Sequence, residues 1–141
     1  MFKSFVRSFS QQFKVGQEAS LRKKISRQDI EKFIDVSGDA NAVHSVAGSQ
    51  RALVHGAYLN SLVSCVMGTK LPGSGTLVVK QTLIFPNKCF VDDTVTVTVR
   101  LIEVRKIIKV GFKCVVDDGN GCGDEKVVLY GDAQLIMDKP K

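Results

Sequence analysis

The order of apolar and polar positions divides the chain into an early helical part and a later part made of strands. Residues 18–25 fit a strand. Ser26, three residues before Asp29, is suited to cap a helix that runs from Arg27 to about Val36. Three apolar side chains of that helix share one face: Ile30, Phe33 and Ile34.

Gly38 is expected to end this helix, and residues 38–50 are predicted to form a polar loop of small residues. A second helix is predicted from about Gly56 to Met67, with Gly68 as its C-terminal glycine. It is apolar around most of its circumference, which predicts burial on nearly all sides. Pro72 and Gly73 then predict a turn.

The remainder of the chain is typical of strands. Four segments are rich in β-branched residues or alternate apolar and polar positions with a period of two: Thr76–Phe85, Thr94–Val99, Lys106–Val116 and Val127–Met137. Residues 117–121 have the composition of a hairpin turn. One buried helix followed by consecutive antiparallel strands predicts an α+β fold, in which a sheet wraps around a central helix.

Composition is consistent with one globular domain. The chain has 141 residues, 44% hydrophobic and 24% charged, with no short repeats and no apolar run near the roughly 20 residues that cross a bilayer. Its four cysteines form no CxxC pair, which argues against a zinc site. Cys65 and Cys114 lie in apolar runs and are predicted to be small buried residues, so a reducing compartment fits best.

Positive charge is in excess and partly local. The chain carries 20 Lys and Arg against 14 Asp and Glu, and residues 1–14 contain three basic residues, three serines and no acid on an amphipathic pattern. This composition predicts a mitochondrial transit peptide at 1–14, ahead of a domain at 15–141 in the matrix, although an ordinary surface helix has the same pattern.

A second group of basic residues lies on successive predicted strands: Arg100, Arg105, Lys106, Lys109 and Lys113. No aromatic platform accompanies them, so nucleic-acid binding is not expected. A solvated strand face is one explanation. Docking of an acidic carrier protein or of coenzyme A phosphates is the other.

Two clusters could carry chemistry. In the first, Asp39 and His44 lie five residues apart in the polar loop, where a carboxylate and an imidazole can hold one water and move its proton. Taken alone, Asp39 and Asn41 are equally typical of turn residues. The spacing therefore suggests an acid–base site without establishing one.

The second cluster is His55-Gly56, directly before the apolar helix. The Gly56 amide N–H at a helix N-terminus could hold an oxyanion, whereas His55 could equally be a capping or packing residue. Asn60 and Ser64 follow Gly56 at i+4 and i+8 and share its helix face. Ser64 could instead bond the carbonyl four residues earlier.

Three motifs together resemble one family. They are Ser37-Gly38-Asp39-x-Asn41-x-x-His44, then His55-Gly56, then Leu71-Pro72-Gly73-x-Gly75-Thr76. This pattern resembles the MaoC-like (R)-specific enoyl-thioester hydratases and 3-hydroxyacyl-thioester dehydratases of the hot-dog fold, most closely the mitochondrial type 2 dehydratases. The resemblance covers nearly everything after the leader.

The resemblance implies specific roles. Asp39 and His44 would be the catalytic pair, the Gly56 amide would polarise the thioester carbonyl, and Ser64 would orient the acid or the substrate. Substrate contacts would come from Asn41, His55 and Asn60. The family needs no metal and no redox cofactor, takes acyl chains on coenzyme A or acyl carrier protein, and forms homodimers.

The chain departs from the family pattern at several positions. Ala42 replaces a proline, Val46 replaces an acid, the segment between His44 and His55 is short, and Asp92-Asp93 stands where the family has Gly-Asp. With the leader, the expected function is dehydration of (3R)-3-hydroxyacyl thioesters in mitochondrial fatty-acid synthesis. The alternatives are a general (R)-specific enoyl-CoA hydratase of fatty-acid degradation and a non-catalytic acyl-thioester-binding subunit.

Overall fold

The structure is a computed structural model that describes residues 13–45, 51–117 and 125–138. Five strands and two helices follow one another in the described residues: β1 (Glu18–Lys24), α1 (Arg27–Ser37), α2 (Gly56–Thr69), β2 (Thr76–Ile84), β3 (Thr94–Val104), β4 (Ile108–Val116) and β5 (Lys126–Met137). A 3-10 turn, Ala42–His44, follows α1.

All strands form one antiparallel sheet in the order β1-β3-β4-β5-β2. Alternation in β3 places four side chains in the core with no exposed surface: Val95, Val97, Val99 and Leu101. Strand β3 also makes more contacts with α2 than any other strand does. The sheet therefore wraps around α2, and the predicted α+β architecture is confirmed.

The start and end of α1 follow from local chemistry. Ser26 Oγ accepts a hydrogen bond from the Asp29 amide at 3.1 Å, and the Asp29 carboxylate accepts one from the Ser26 amide at 2.9 Å. This reciprocal capping box satisfies two amides that the helix itself cannot. Gly38 ends the helix in the left-handed region (φ 77°), where it donates to the Ile34 carbonyl at 2.7 Å. Both predicted boundaries are confirmed to within one residue.

Helix α2 differs from the prediction in two ways. It continues through Gly68 to Thr69 before reaching Leu71 and Pro72, so Gly68 is not its terminal residue. Its surface is also open on one side, where five small side chains form an exposed stripe: Ala57, Ser61, Ser64, Cys65 and Thr69. The prediction that Cys65 is buried is wrong, because the sheet covers only the opposite face; Cys114 is buried as predicted.

Strand β2 lies at one edge of the sheet and is unusually apolar for its exposure. Leu77 and Val79 are 46% and 53% exposed, and Val78 and Ile84 are exposed as well. A bulge between Val78 and Lys80 interrupts the pairing of β2 with β5. An apolar, unpaired edge of this kind is typical of a surface that another chain covers.

Two predictions fall largely outside the described residues. Of the predicted leader, only residues 13 and 14 are described, and Phe13 packs partly buried against the core. Of the predicted hairpin turn at 117–121, only Asp117 is described, and its carboxylate pairs with Arg22 at 2.7 Å. None of the helices in the described ranges has the length and apolar character needed to cross a bilayer.

Candidate active site

The loop after α1 is held by its own polar side chains. Ser37 Oγ accepts from the Asp39 amide at 3.1 Å and donates to the Phe33 carbonyl at 2.7 Å. The Asp39 carboxylate accepts from the Asn41 amide at 3.3 Å, and the Asn41 side chain in turn accepts from the Val43 amide at 3.3 Å. Asn41 thus caps the short turn that carries His44, and its predicted contact with substrate stays a prediction.

His44 is fixed in one tautomer by its hydrogen bond. Its Nδ1 lies 2.7 Å from the Leu53 carbonyl oxygen. Since a carbonyl can only accept, Nδ1 carries the proton, and Nε2 keeps a free lone pair. A second bond, from the Leu53 amide to the Val43 carbonyl at 2.9 Å, ties the same two segments together. His44 therefore presents a basic nitrogen from a constrained, half-buried position.

His55 lies directly behind this pair and is only 2% exposed. Its Nε2 donates to the Asp39 carbonyl at 3.0 Å. Its ring stacks on the His44 ring, with centroids 3.5 Å apart and planes 19° from parallel. The Phe33 ring packs on the His55 ring as well, with their centroids 4.8 Å apart. The structure thus brings together three of the residues selected from the sequence, Asp39, His44 and His55.

The polar atoms that these three residues offer lie within 4.8 Å of one another, which also makes them a possible ligand set for a metal ion. The geometry of the rings argues against this use. An imidazole ligates through a lone pair in its own plane at about 2.0–2.1 Å. Because the two rings are stacked nearly parallel, their lone pairs cannot converge on one ion. A bridging water, which forms longer hydrogen bonds of about 2.8 Å, can span two polar atoms that lie within 4.8 Å of each other.

Gly56 begins α2, where the first amides have no partner within the helix. The N-cap residue is His55, and its side chain makes no capping hydrogen bond. The Phe85 ring lies against Gly56, so closely that a Cβ added at residue 56 would stand 2.8 Å from Phe85 Cε1. A glycine is therefore required for the ring to occupy this place beside the helix N-terminus.

A cavity of about 740 Å³ joins His44, Gly56 and Phe85. Most of its wall is apolar, including Leu59 of α2. The charged side chains among its described lining residues are two lysines, Lys88 and Lys126. His44 lines this cavity, whereas Asp39 is exposed beside His44 and is not among the lining residues. An open, mainly apolar cavity with an imidazole in its wall suits an acyl chain with a reactive head group.

Cys89 also lines the cavity but is not suited to act as a nucleophile. Burial, together with the nearby Asp93 carboxylate, raises the pKa of its thiol to about 12. A thiol with this pKa stays protonated at neutral pH and is a poor nucleophile. Among the described lining residues, His44 is then the side chain suited to proton transfer, and its catalytic role with Asp39 stays a prediction.

Asn60 and Ser64, also selected from the sequence, lie farther along α2. The Asn60 amide exchanges two hydrogen bonds with Gln81 of β2, at 3.2 and 2.9 Å. Ser64 is exposed on the α2 stripe, about 12 Å along the helix from Gly56. Neither residue lines the cavity in this single chain. Their predicted roles toward substrate stay predictions.

Sequence reasoning missed the lysines and the aromatic side of the cavity. Phe85 and Lys88 lie in the loop after β2, and Lys126 begins β5, so the fold assembles them from distant segments. An exposed aromatic beside Pro86 in a loop was the available signal. The basic residues that the sequence offered for docking, Lys109 and Lys113, instead form ion pairs with Glu103 and Glu125 and lie outside the cavity.

Comparison with known proteins agrees with this geometry. No family model matches the chain. The (R)-specific enoyl-CoA hydratase of Rhodospirillum rubrum is 33% identical over 138 residues, which cover 92% of this chain and 91% of the relative. The solved (R)-hydratase from A. caviae involved in PHA biosynthesis superposes with a TM-score of 0.79 at 29% identity, over 90% of this chain and 98% of that one.

A third relative is the mitochondrial 3-hydroxyacyl-[acyl-carrier-protein] dehydratase of Arabidopsis thaliana, 28% identical over 88% of this chain and 77% of the relative. A five-stranded antiparallel sheet wrapped around one helix is the hot-dog fold, which this chain shares with the solved (R)-hydratase. The chain belongs to the MaoC-like family of (R)-specific enoyl-CoA hydratases and 3-hydroxyacyl dehydratases, and it is a hydro-lyase.

Proposed function

We propose that this protein interconverts trans-2-enoyl thioesters and (3R)-3-hydroxyacyl thioesters, with Asp39 and His44 activating the water. The observation that carries the proposal is the His44 imidazole, whose Nδ1–H bond to the Leu53 carbonyl leaves Nε2 as the basic nitrogen of a ring that lies in one cluster with the Asp39 carboxylate. A base held in one tautomer next to a carboxylate is the arrangement that general acid–base catalysis needs.

In the hydration direction, the water held between Asp39 and His44 gives a proton to Nε2 while its oxygen bonds to C3 of the enoyl group. The electron pair of the C2–C3 double bond moves toward the thioester oxygen, where the Gly56 N–H stabilises the developing enolate. C2 then takes a proton from the Asp39–His44 pair, which restores the resting enzyme. Dehydration is the reverse sequence.

Coenzyme A is the carrier that the cavity supports best. Lys88 and Lys126 are its charged lining side chains among the described residues, and neither forms an ion pair there. Two ammonium groups in the wall of one cavity, neither of them ion-paired within the described residues, attract phosphates. The relatives from R. rubrum and A. caviae are both named as hydratases. The name of the R. rubrum protein specifies enoyl-CoA, which supports the same carrier.

A place in mitochondrial fatty-acid synthesis is the narrower form of the proposal. It is supported by the acid-free composition of residues 1–14 and by the similarity to the Arabidopsis dehydratase, whose name specifies acyl carrier protein. The ratio of kcat/KM for an enoyl thioester on acyl carrier protein to that on coenzyme A separates this role from a general enoyl-CoA hydratase. Import of the full chain into isolated mitochondria, compared with residues 15–141, tests the leader.

We also propose that two chains pair through β2 and the open face of α2. Both surfaces lie on the same side of the molecule, since Asn60 of α2 bonds Gln81 of β2. An edge strand offers unpaired backbone groups, and β2 adds exposed apolar side chains to them. This pairing would cover Ser64 and bring the partner's helix near it.

The direct test is hydration of trans-2-enoyl-CoA by the purified protein, followed through loss of the enoyl absorbance and through chiral analysis of the product. The proposal predicts turnover to the (3R) alcohol. Binding of the thioester with no turnover would favour a non-catalytic subunit, and a (3S) product would contradict the proposed site.

A further inference from the structure

His55 touches both members of the catalytic pair. Its Nε2–H holds the Asp39 carbonyl at 3.0 Å, and its ring lies face to face with His44 at 3.5 Å. The contact with Asp39 comes from residue 55, at the start of α2, and reaches back to the loop that follows α1. One side chain therefore joins the base, the carboxylate-bearing loop and the helix that supplies the Gly56 amide.

The buried position of His55 points to a role other than the substrate contact that the family resemblance implies, and that contact stays a prediction. The residue is 2% exposed and does not line the cavity in the described structure. It also does not cap α2, since its side chain makes no capping bond. Its side chain contacts Asp39, His44 and Phe33.

Burying a histidine at position 55 lowers the stability of the fold. Because Nε2 donates to a carbonyl, Nδ1 carries a lone pair, and this buried atom has no hydrogen-bond partner in the described residues. An unpaired buried acceptor lowers stability, whereas an aromatic ring of similar size without nitrogen would not carry that cost. If residue 55 served only to pack the core, phenylalanine would therefore give the more stable protein.

We infer that His55 is a positioning residue that fixes the plane of the His44 imidazole and the place of Asp39. This inference rests on the proposed function only for its kinetic consequence. The stack limits rotation of the His44 ring and so keeps Nδ1 on the Leu53 carbonyl, and the Nε2 bond keeps the Asp39 loop at hydrogen-bonding distance from the water.

Two substitutions separate the two contacts. His55→Phe keeps an aromatic ring against His44 and loses the bond to Asp39. His55→Gln keeps a donor for Asp39 and loses the stack. We expect both variants to lower kcat by about 10- to 100-fold while KM changes by less than about threefold, because a misplaced catalytic group slows the chemical step more than binding. The melting temperature of His55→Phe should equal or exceed that of the parent.

A second readout does not depend on turnover. Nitrogen-15 NMR of the imidazole groups reports which ring nitrogen of His44 carries the proton. The parent and His55→Phe, which keeps the stack, should show the Nδ1–H form, whereas His55→Gln, which loses the stack, should show a mixture of tautomers. Val66→Ala, in the buried core of α2 away from the site, is the matched control for lost stability and should keep the parental tautomer and kcat.

A fall in kcat together with a mixed His44 tautomer supports the inference. Unchanged kcat in both variants overturns it, as does an unchanged His44 tautomer in His55→Gln. A fall in kcat that Val66→Ala reproduces at a similar loss of stability also overturns it. If the parent protein hydrates no enoyl thioester, the proposed function fails while the NMR measurement still decides whether His55 positions His44.

Discussion

The Phe85 ring occupies the space that a side chain on Gly56 would need, with Cε1 and Cζ 2.8 and 2.9 Å from the position of the missing Cβ. The ring comes from the loop after β2, whereas Gly56 is the first residue of α2. This contact closes one wall of the cavity beside the amide that we assign to the thioester oxygen. The role of that amide can also be tested by mutation, because Phe85→Ala removes the clash between the Phe85 ring and a side chain at residue 56.

Gly56→Ala alone should lower activity sharply, since the added methyl group displaces the Phe85 ring. With Phe85→Ala the space is open, and Gly56→Ala can then be compared with Gly56→Pro. Proline is well tolerated at the first position of a helix, and His55 already has the extended backbone (ψ 136°) that a following proline requires.

The proline and alanine variants in the Phe85→Ala background differ mainly in the N–H of residue 56. We expect kcat with proline to be about 100-fold lower than with alanine, the effect of losing one oxyanion donor. Circular dichroism checks that both helices remain folded. Equal kcat values in the two variants would mean that the amide does not hold the oxyanion.

The two cavity lysines should recognise the phosphates of coenzyme A. Lys88→Ala and Lys126→Ala are each expected to raise KM for an enoyl-CoA several-fold, by about 1 kcal/mol per lost charge contact. KM for the same acyl group on N-acetylcysteamine, which has no phosphate, should not change. Lys109→Ala, outside the cavity and paired with Glu103, is the matched control. An equal rise in KM for both thioesters would contradict the phosphate contact.

The β2 edge should be the subunit interface. Val79→Lys is expected to convert a dimer into monomers, because a buried charge at an apolar interface is costly. Ile102→Lys is a close control, since Ile102 has the same 53% exposure on a strand inside the sheet. Light scattering coupled to size exclusion gives the mass of each variant. Monomeric parent protein, or dissociation by both substitutions, would contradict the assignment.

Asp29 should contribute stability that depends on pH. The Ser26 backbone hydrogen bond, with smaller contributions from the Ser26 hydroxyl and Lys23, holds the pKa of the Asp29 carboxyl below its usual value. The folded state therefore favours the carboxylate. This stabilisation is present above the ordinary pKa of about 4 and is lost as the pH falls through the lower folded-state value.

Asp29→Ala should accordingly lower the free energy of unfolding by about 1 kcal/mol at pH 7, the usual worth of a helix cap. At pH 2.5 the difference between Asp29→Ala and the parent should shrink. Urea unfolding at the two pH values measures both quantities. Asp35→Ala, an exposed residue on the same helix, controls for loss of charge. A difference that does not change with pH would show that the carboxylate is not the stabilising group.

Local patterns were sufficient for the parts of the fold that depend on neighbouring residues. The Ser26–Asp29 cap, the Gly38 terminus and the alternation of β3 follow from short-range rules, and the structure confirms them. The Asp39–His44 juxtaposition was also accessible, because five residues and one turn bring the two side chains together.

The features that the sequence did not reveal depend on packing between distant segments. Helix α2 is apolar on most sides, yet one face stays open in the single chain because the sheet curls around the other. The burial of His55 and the approach of Phe85 to Gly56 result from the same packing. The spacing of polar residues within 55–64 does not show whether His55 contacts the substrate or is buried in the core.

The most direct test of the central claim is the kcat for hydration of trans-2-enoyl-CoA by the parent, Asp39→Asn, His44→Ala and Asp35→Asn. Asp35→Asn removes one carboxylate from an exposed position just before the loop and should leave kcat unchanged. Loss of either member of the pair should lower kcat by at least about 100-fold, the usual contribution of general acid–base catalysis, with the fold retained. Parental kcat in Asp39→Asn or in His44→Ala would contradict the assignment of the water-activating pair.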